Sequence, residues 1–394
     1  MASKPYIAGV GMIPFTKPGK SESWDVMGAQ AAKLALDDAG IDYADVGQAY
    51  VGYVYGDSTC GQSALYAIGL SGVPIVNVNN NCSTGSTALF LARQAVEAGV
   101  VDVALALGFE QMNPGALGAT YTDRKHVMGK FGPVMRSLQE PTKEAPGAAQ
   151  FFGGAGREHQ EKYGTRIETF AKISEKARRH AANNPFAIFR EPLTVPEVLQ
   201  SPHIYGPLTR YQCCPPTCGA AAAVIVSPAY ARRKGLSGLV EIAGQSMTTD
   251  KASTFSPASM IKLVGYDMAR AAAQDVYEQT ATGPDEVEVV ELHDCFTANE
   301  LLTYEALGLC GEGKAEQFIW DEDNTYGGIV VTNPSGGLLS KGHPLGATGL
   351  AQCTELVWQV RGTADKRQVE GVKHALQHNL GLGGACVVTM YRAV

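Results

Sequence analysis

The tightest constraint on this chain is an internal repeat. Residues 25–56, "DVMGAQAAKLALDDAGIDYADVGQAYVGYVYG", run from an apolar-faced helix through Gly40 and an acidic turn into a β-rich stretch. Residues 266–296, "YDMARAAAQDVYEQTATGPDEVEVVELHDCF", follow the same order of helix, acidic turn, strand and loop. The likeness continues downstream. After Cys82, apolar positions 88, 91, 92, 95 and 96 keep a helical period, and "VVDVALALGF" reads as a buried strand. In the second half "GHPLGATGLAQCTELVWQVRG" is a Gly-opened helix ending at Gly362, with "KHALQHN" and "ACVVTMYR" as strands after it. Buried strands alternating with helices predict an α/β fold, a duplicated unit in which two sheets are covered by helices on both faces.

Between the halves the pattern changes. A long helix is expected around "GREHQEKYGTRIETFAKISEKARRHAANNP", stopped by Pro185, and "AAAAVIVS" then returns to the first sheet. The organisation is therefore a first half over 1–112, an excursion over 113–217, a return of the first half over 218–255, and a second half over 256–394. At 394 residues the chain exceeds one small core, which fits this division.

Composition excludes several classes of function. A net charge of -7 with no Lys/Arg block argues against nucleic acid as the partner. The N-terminal "MASKPYIAGVGMIPF" lacks a signal-peptide h-region, and no apolar run reaches bilayer length, so no membrane insertion is expected. Nine cysteines without a secretion signal speak for reduced thiols rather than a disulfide framework. The cluster "CCPPTC" has no second Cys/His pair at finger spacing, so no metal site is expected there or elsewhere. The C-terminal "RAV" is not a peroxisomal address of the S-K-L type, leaving the cytoplasm as the expected compartment.

Four stretches could carry chemistry. In "NNNCSTGS" the thiol of Cys82 sits at the mouth of a helix, where unpaired amides and the dipole favour a thiolate. A small buried cysteine packing the strand-to-helix turn is the alternative. "ELHDCF" ends a β run with His293, Asp294 and Cys295, three groups able to exchange protons or make hydrogen bonds. "NPSGGLLSKGHPLGATGLAQ" holds His343 between Gly342 and Pro344 at a helix entrance, where it can polarise a carbonyl or activate a thiol; a turn that serves packing alone is the other reading. "HNLGLGGAC" offers bare amides near Gly381 that can hold an oxyanion, or simply turns a hairpin.

Taken together and in this order, these stretches resemble the thiolase family over nearly the whole chain, and among them the sterol carrier protein type-2 thiolases. The resemblance implies a five-layered αβαβα subunit with a loop domain inserted in its first half, assembled as a homodimer or homotetramer. It also implies acyl transfer between a 3-oxoacyl-CoA and coenzyme A, with CoA as co-substrate and no permanently bound cofactor. By this likeness Cys82 is the acyl-accepting nucleophile, His343 its activator, and Cys295 the acid/base cysteine. His293 contributes to a first oxyanion hole, and the amides of Cys82 and Gly381 form a second. The sequence departs from the wider family at "NLG", where Asn379 replaces a catalytic cysteine, and at Cys218, where the subgroup carries Asp. Cys386, in the following strand, is read as packing. Two other functions suit the same fold: a partner-dependent retro-aldolase or condensing enzyme, and a catalytically silent acyl-CoA or lipid-binding protein.

Overall fold

The computed structural model describes residues 4–115, 118 and 121–394. Residues 1–3 of the N-terminal stretch and 116, 117, 119 and 120 of the excursion lie outside it. Its strands are β1 (Tyr6–Met12), β2 (Gln48–Gly52), β3 (Ile75–Val78), β4 (Val103–Glu110), β5 (His203–Tyr205), β6 (Leu208–Thr209), β7 (Gly219–Val226), β8 (Val240–Thr248), β9 (Val289–Glu291), β10 (Val331–Thr332), β11 (His374–Gly381) and β12 (Ala385–Ala393). Apart from the small β5–β6 hairpin they form the order β10-β9-β11-β12-β8-β1-β7-β4-β2-β3. This ladder is two blocks of five. Their strands pair where β1 touches β8, at Tyr6 opposite Glu241 and Ile7 opposite Val240, beside a hydrogen bond from the Ile242 amide to Pro5 O.

Each block mixes parallel and antiparallel pairs in the same way. β2 runs parallel to β3 and β4, as β9 does to β10 and β11, while β7 and β12 lie antiparallel to β4 and β11. Every residue of β4 is buried, as a strand covered on both faces requires. The repeated helices also correspond. Trp24–Ala39 buries Met27, Ala31, Ala32, Ala35 and Leu36 on one stripe and stops at Gly40, whose left-handed φ of 62° lets its N–H reach the carbonyls of Leu36 and Asp37. Tyr266–Thr280 is its counterpart in the second half.

Apolar clusters define the layers. One joins the outer face of the first block to the helices Trp24–Ala39 and Cys60–Tyr66. A second fills the middle with Ala88, Leu89 and Ala92 of the helix Thr84–Glu97 and Leu350, Ala351 and Leu356 of the helix Thr348–Arg361, between residues from both blocks. The third covers the outer face of the second block with the helices Tyr266–Thr280 and Thr297–Ala306 and with Phe151, Phe152 and Phe170 of the excursion. Five layers result, with two central helices buried between the blocks. Truncating a fully buried central residue such as Leu350 should cost roughly 2–5 kcal/mol.

Two expectations are refined. The single long helix of the excursion is two, Gly147–Tyr163 and Ile167–Ala181, because Gly164 turns left-handed at φ 75° and Thr165 bonds back to His159. "AAAAVIVS" does return, as β7 between β1 and β4, but β8, the next strand, pairs along its length with β12 and belongs to the second block.

Candidate active site

The chain leaves β3 through Asn79–Cys82, where Asn81 adopts a left-handed φ of 52°. Local hydrogen bonds fix this turn: the Thr84 hydroxyl donates to Asn81 O, the Asn80 amide donates to Thr84 Oγ1, and the Ser83 amide donates to Asn80 O. Asn81 Nδ2 also donates to Leu382 O, tying the turn to the β11–β12 hairpin. Gly381 lies so close that a Cβ there would stand 2.3 Å from Asn80 O, so only glycine fits. The Cys82 turn and the Gly381 strand end therefore form one wall.

Cys82 stands two residues before the helix at Thr84, as the sequence suggests, and is partly buried. The expected thiolate is not its resting state. Burial pushes the thiol up to about 12, with the nearby Glu110 carboxylate acting in the same direction. Loss of solvation outweighs the helix end, so a base must take the proton as sulfur reacts.

His343 is built for that task. The preceding Gly342 takes φ 120°, and the His343 amide donates to Thr217 Oγ1 at 3.0 Å. Its Nδ1 lies 2.7 Å from Thr348 Oγ1. That hydroxyl already donates to Pro344 O, so it accepts the Nδ1 proton and leaves a lone pair on Nε2. This Nε2 is buried and has no partner among the described residues. Burial holds the ring down to about 3, hence neutral at physiological pH.

One nitrogen of His343, one of His293 and the sulfur of Cys82 lie within 4.8 Å of one another. The two imidazoles meet edge to face, 5.0 Å between centroids. Burial, with His343 and His378 adding smaller contributions, keeps His293 well below the ordinary histidine range. Its Nδ1 faces Asn379 Nδ2 at 3.0 Å. Cys295 is buried, and burial first, then Cys214, Cys82 and Asp294, raises its thiol well above the usual range. The four predicted side chains and Gly381 thus gather at one place, at the ends of β9 and β11 and the mouths of the two central helices.

The surroundings assign roles to residues that the sequence left open. Cys213–Thr217, part of the cysteine cluster considered for zinc, is a strap: Cys213 bridges to Phe296, the Cys214 amide donates to Cys295 O at 2.9 Å, and Pro216 bridges to His343. Asp294 accepts from the amides of Leu338 and Leu339 and is structural. Glu110 accepts from the amides of Val54, Tyr55 and Gly346. Cys218 donates its thiol to Met112 O, and Cys386 is fully buried in β12. Thr217 and Cys214 carried no spacing signal, because their partners lie far away in sequence, and Thr348, close to His343 in the chain, gave none that fixes a hydrogen-bond direction.

The family described as "Thiolase, N-terminal domain" matches residues 6–194, and "Thiolase C-terminal domain-like" matches residues 250–391. "Sterol carrier protein 2" of Oryctolagus cuniculus is 55% identical over 391 residues, covering 98% of this chain and 71% of that protein. Among solved structures, an "Ltp2-ChsH2(DUF35) aldolase" superposes with a TM-score of 0.83 at 24% identity, covering 99% of this chain and 98% of that one. Human mitochondrial 3-ketoacyl-CoA thiolase in complex with CoA gives a TM-score of 0.73 at 17% identity, covering 100% and 99%.

Proposed function

The chain belongs to the thiolase family, and from that premise we propose that it cleaves 3-oxoacyl-CoA with coenzyme A by ping-pong transfer through a Cys82 thioester. The observation that carries this reading is the convergence of Cys82 Sγ, His343 and His293 within 4.8 Å, with Gly381 against the Cys82 turn.

In the first half-reaction His343 Nε2 takes the Cys82 proton as sulfur bonds to the 3-keto carbon. The amides of Cys82 and Gly381 face the oxyanion formed there. Breaking the bond between C2 and C3 leaves the acyl group on Cys82 and expels the enolate of a shorter acyl-CoA. His293, with His343, holds the enolate's thioester oxygen, and Cys295 protonates its carbon. Burial keeps Cys295 in its thiol form, the form that can protonate the enolate carbon, and CoA is itself a thiol, so the return transfer runs between like groups. In the second half-reaction the Cys295 thiolate deprotonates CoA, whose sulfur displaces Cys82 from the thioester. Cys82 then recovers its proton from His343.

The substrates proposed are straight-chain, 2-methyl-branched and sterol-side-chain 3-oxoacyl-CoAs, releasing acetyl-CoA or propionyl-CoA. A homodimer or homotetramer in the cytoplasm is the proposed state, supported by β3, an outermost strand with Val76 exposed. Among the described residues no helix is long and apolar enough to cross a membrane. A second reading, retro-aldol cleavage with a partner subunit, is favoured by one observation, the likeness to the aldolase structure.

Intact-protein mass after mixing with acetoacetyl-CoA or a 2-methyl-3-oxoacyl-CoA tests the proposal. An acyl adduct on the wild type, absent in Cys82→Ala and discharged by CoA, is expected. Tight binding with no adduct would shift the function to the aldolase or to a silent acyl-CoA binder.

A further inference from the structure

A chain of buried hydrogen bonds runs from β12 to His293, and its directions can be read one by one. Gln377 Nε2 donates to Gly349 O at 2.6 Å; a carbonyl only accepts, so the amide orientation of Gln377 is settled. Its Oε1 accepts from the Tyr391 hydroxyl. Gln377 Nε2 also donates to Ser86 Oγ at 2.9 Å, and Ser86 passes its own proton on to Asn379 Oδ1 at 2.8 Å. Asn379 Nδ2 therefore faces the other way. One of its hydrogens goes to Cys82 O at 3.1 Å, again a carbonyl, and the other points at His293 Nδ1 at 3.0 Å.

We infer that Asn379 is a positioning residue that locks His293 in the tautomer with its lone pair on Nδ1 and its proton on Nε2, and that Gln377 and Ser86 hold Asn379 in the orientation this requires. Burial keeps the ring neutral, so its one proton has only Nε2 to occupy. With Nδ1 accepting from Asn379, Nε2 is the nitrogen left to donate. Gly349 is part of the lock, since a Cβ there would stand 2.2 Å from Ser86 Oγ and 2.6 Å from Asn379 Oδ1.

The result is a pair of unlike imidazoles 5.0 Å apart. Thr348 makes His343 a base, and Asn379 makes His293 a donor. Because its lone pair at Nδ1 is taken up by Asn379 and Nε2 carries the proton, His293 does not compete for the Cys82 proton. Nor can it join Cys82 and His343 in holding a soft divalent cation, which needs a free lone pair from each histidine. The meaning of the donor for turnover rests on the thiolase reading; the tautomer and the cation exclusion do not.

Long-range proton–nitrogen correlation on wild-type protein labelled with [15N]histidine tests the lock directly. Signals are assigned by their loss in His293→Gln and His343→Gln. The expected spectrum has the proton of His293 on Nε2 and that of His343 on Nδ1; a proton on His293 Nδ1 would overturn the inference whatever the enzyme catalyses. Asn379→Asp keeps the shape and the Ser86 bond but replaces both N–H donors with an acceptor. In the folded variant His293 should move its proton to Nδ1, and kcat should fall by about a hundredfold with KM within about threefold, the signature of a lost oxyanion donor. The same variant should bind zinc at least about tenfold more tightly than wild type, read as protection of Cys82 from iodoacetamide. An unchanged kcat in an active, folded protein, or equal zinc affinity, would count against the lock. If the wild type lacks thiolysis, the spectrum and the zinc measurement still decide; if the variant does not fold, the wild-type spectrum decides alone.

Discussion

Glu110 and Asn379 occupy corresponding places in the two halves and do opposite work. Glu110, at the end of β4, holds the loop after β2 through Val54 and Tyr55 and reaches across to Gly346 before the second half's central helix. Asn379, near the end of β11, holds the loop after β9 through His293 and reaches across to Cys82 before the first half's central helix. Both are buried braces between a loop of their own half and the helix mouth of the other. The carboxylate only accepts, from three backbone amides. The carboxamide accepts once and donates twice, which gives its loop a reactive orientation. Duplication supplied the brace twice, and the donor chemistry of the side chain separates scaffold from machinery.

The sharpest way to break this comparison is at the thiols of the two loops. Cys295→Ala should still acylate on Cys82 but lose net turnover by roughly 10²–10⁴-fold, as removal of a general acid/base does. Cys60→Ala, at the buried thiol where the first-half loop enters the helix Cys60–Tyr66, should change turnover less than about threefold. Burst-phase mass spectrometry with steady-state thiolysis separates the two, and normal thiolysis by Cys295→Ala would end its assignment. Next comes His293→Ala, expected to slow thiolysis about a hundredfold by deleting one oxyanion donor.

The brace on the other side should show itself in stability. Glu110→Ala leaves three amide hydrogens without their acceptor and should lower unfolding free energy by about 3 kcal/mol or more, measured by urea denaturation. A loss below about 1 kcal/mol would remove Glu110 from the comparison.

The smallest effect is on pH. Burial depresses the pKa values of His293, His343 and His378, so the unfolded chain binds protons that the folded one excludes. Their contribution is complete above the unfolded value near 6.5 and falls away with pH below it; for His343 and His378, held down to about 3, the loss is about 2 kcal/mol per ring by pH 5. Glu110 runs the other way: burial raises it to about 7, so its contribution declines as pH rises from about 4.3 to 7. In Glu110→Gln the opposing slope disappears, and melting temperature should climb more steeply between pH 5 and 7 than in wild type.

Much of this architecture was legible from one sequence, for definite reasons. Helix stripes, the Gly40 and Gly362 stops, and the buried runs of β4 and β7 are local patterns, and repetition made them mutually supporting. The site stretches stood out because Cys82, His293, Cys295, His343 and Gly381 sit in Gly-rich or strand-end contexts. What escaped was hydrogen-bond direction. Thr348 lies only five residues from His343, yet its role needs the carbonyl of Pro344 to be seen in place. Asn379 meets Cys82 and His293 only after the halves have closed. The acidity of Cys82 was misjudged for the same reason: a helix mouth is local, whereas desolvation by the other half is not.

The strand seam between the blocks is short, at Tyr6 and Ile7 of β1 and the adjoining Pro5. Cohesion must therefore reside in the middle layer, where the helix opened by Thr84 and the helix opened by Thr348 each shield the other half's strands from water. Separating the halves would expose this apolar middle face and part Cys82 from His293 and His343. Keeping that face from water and assembling the reaction centre are therefore one packing event.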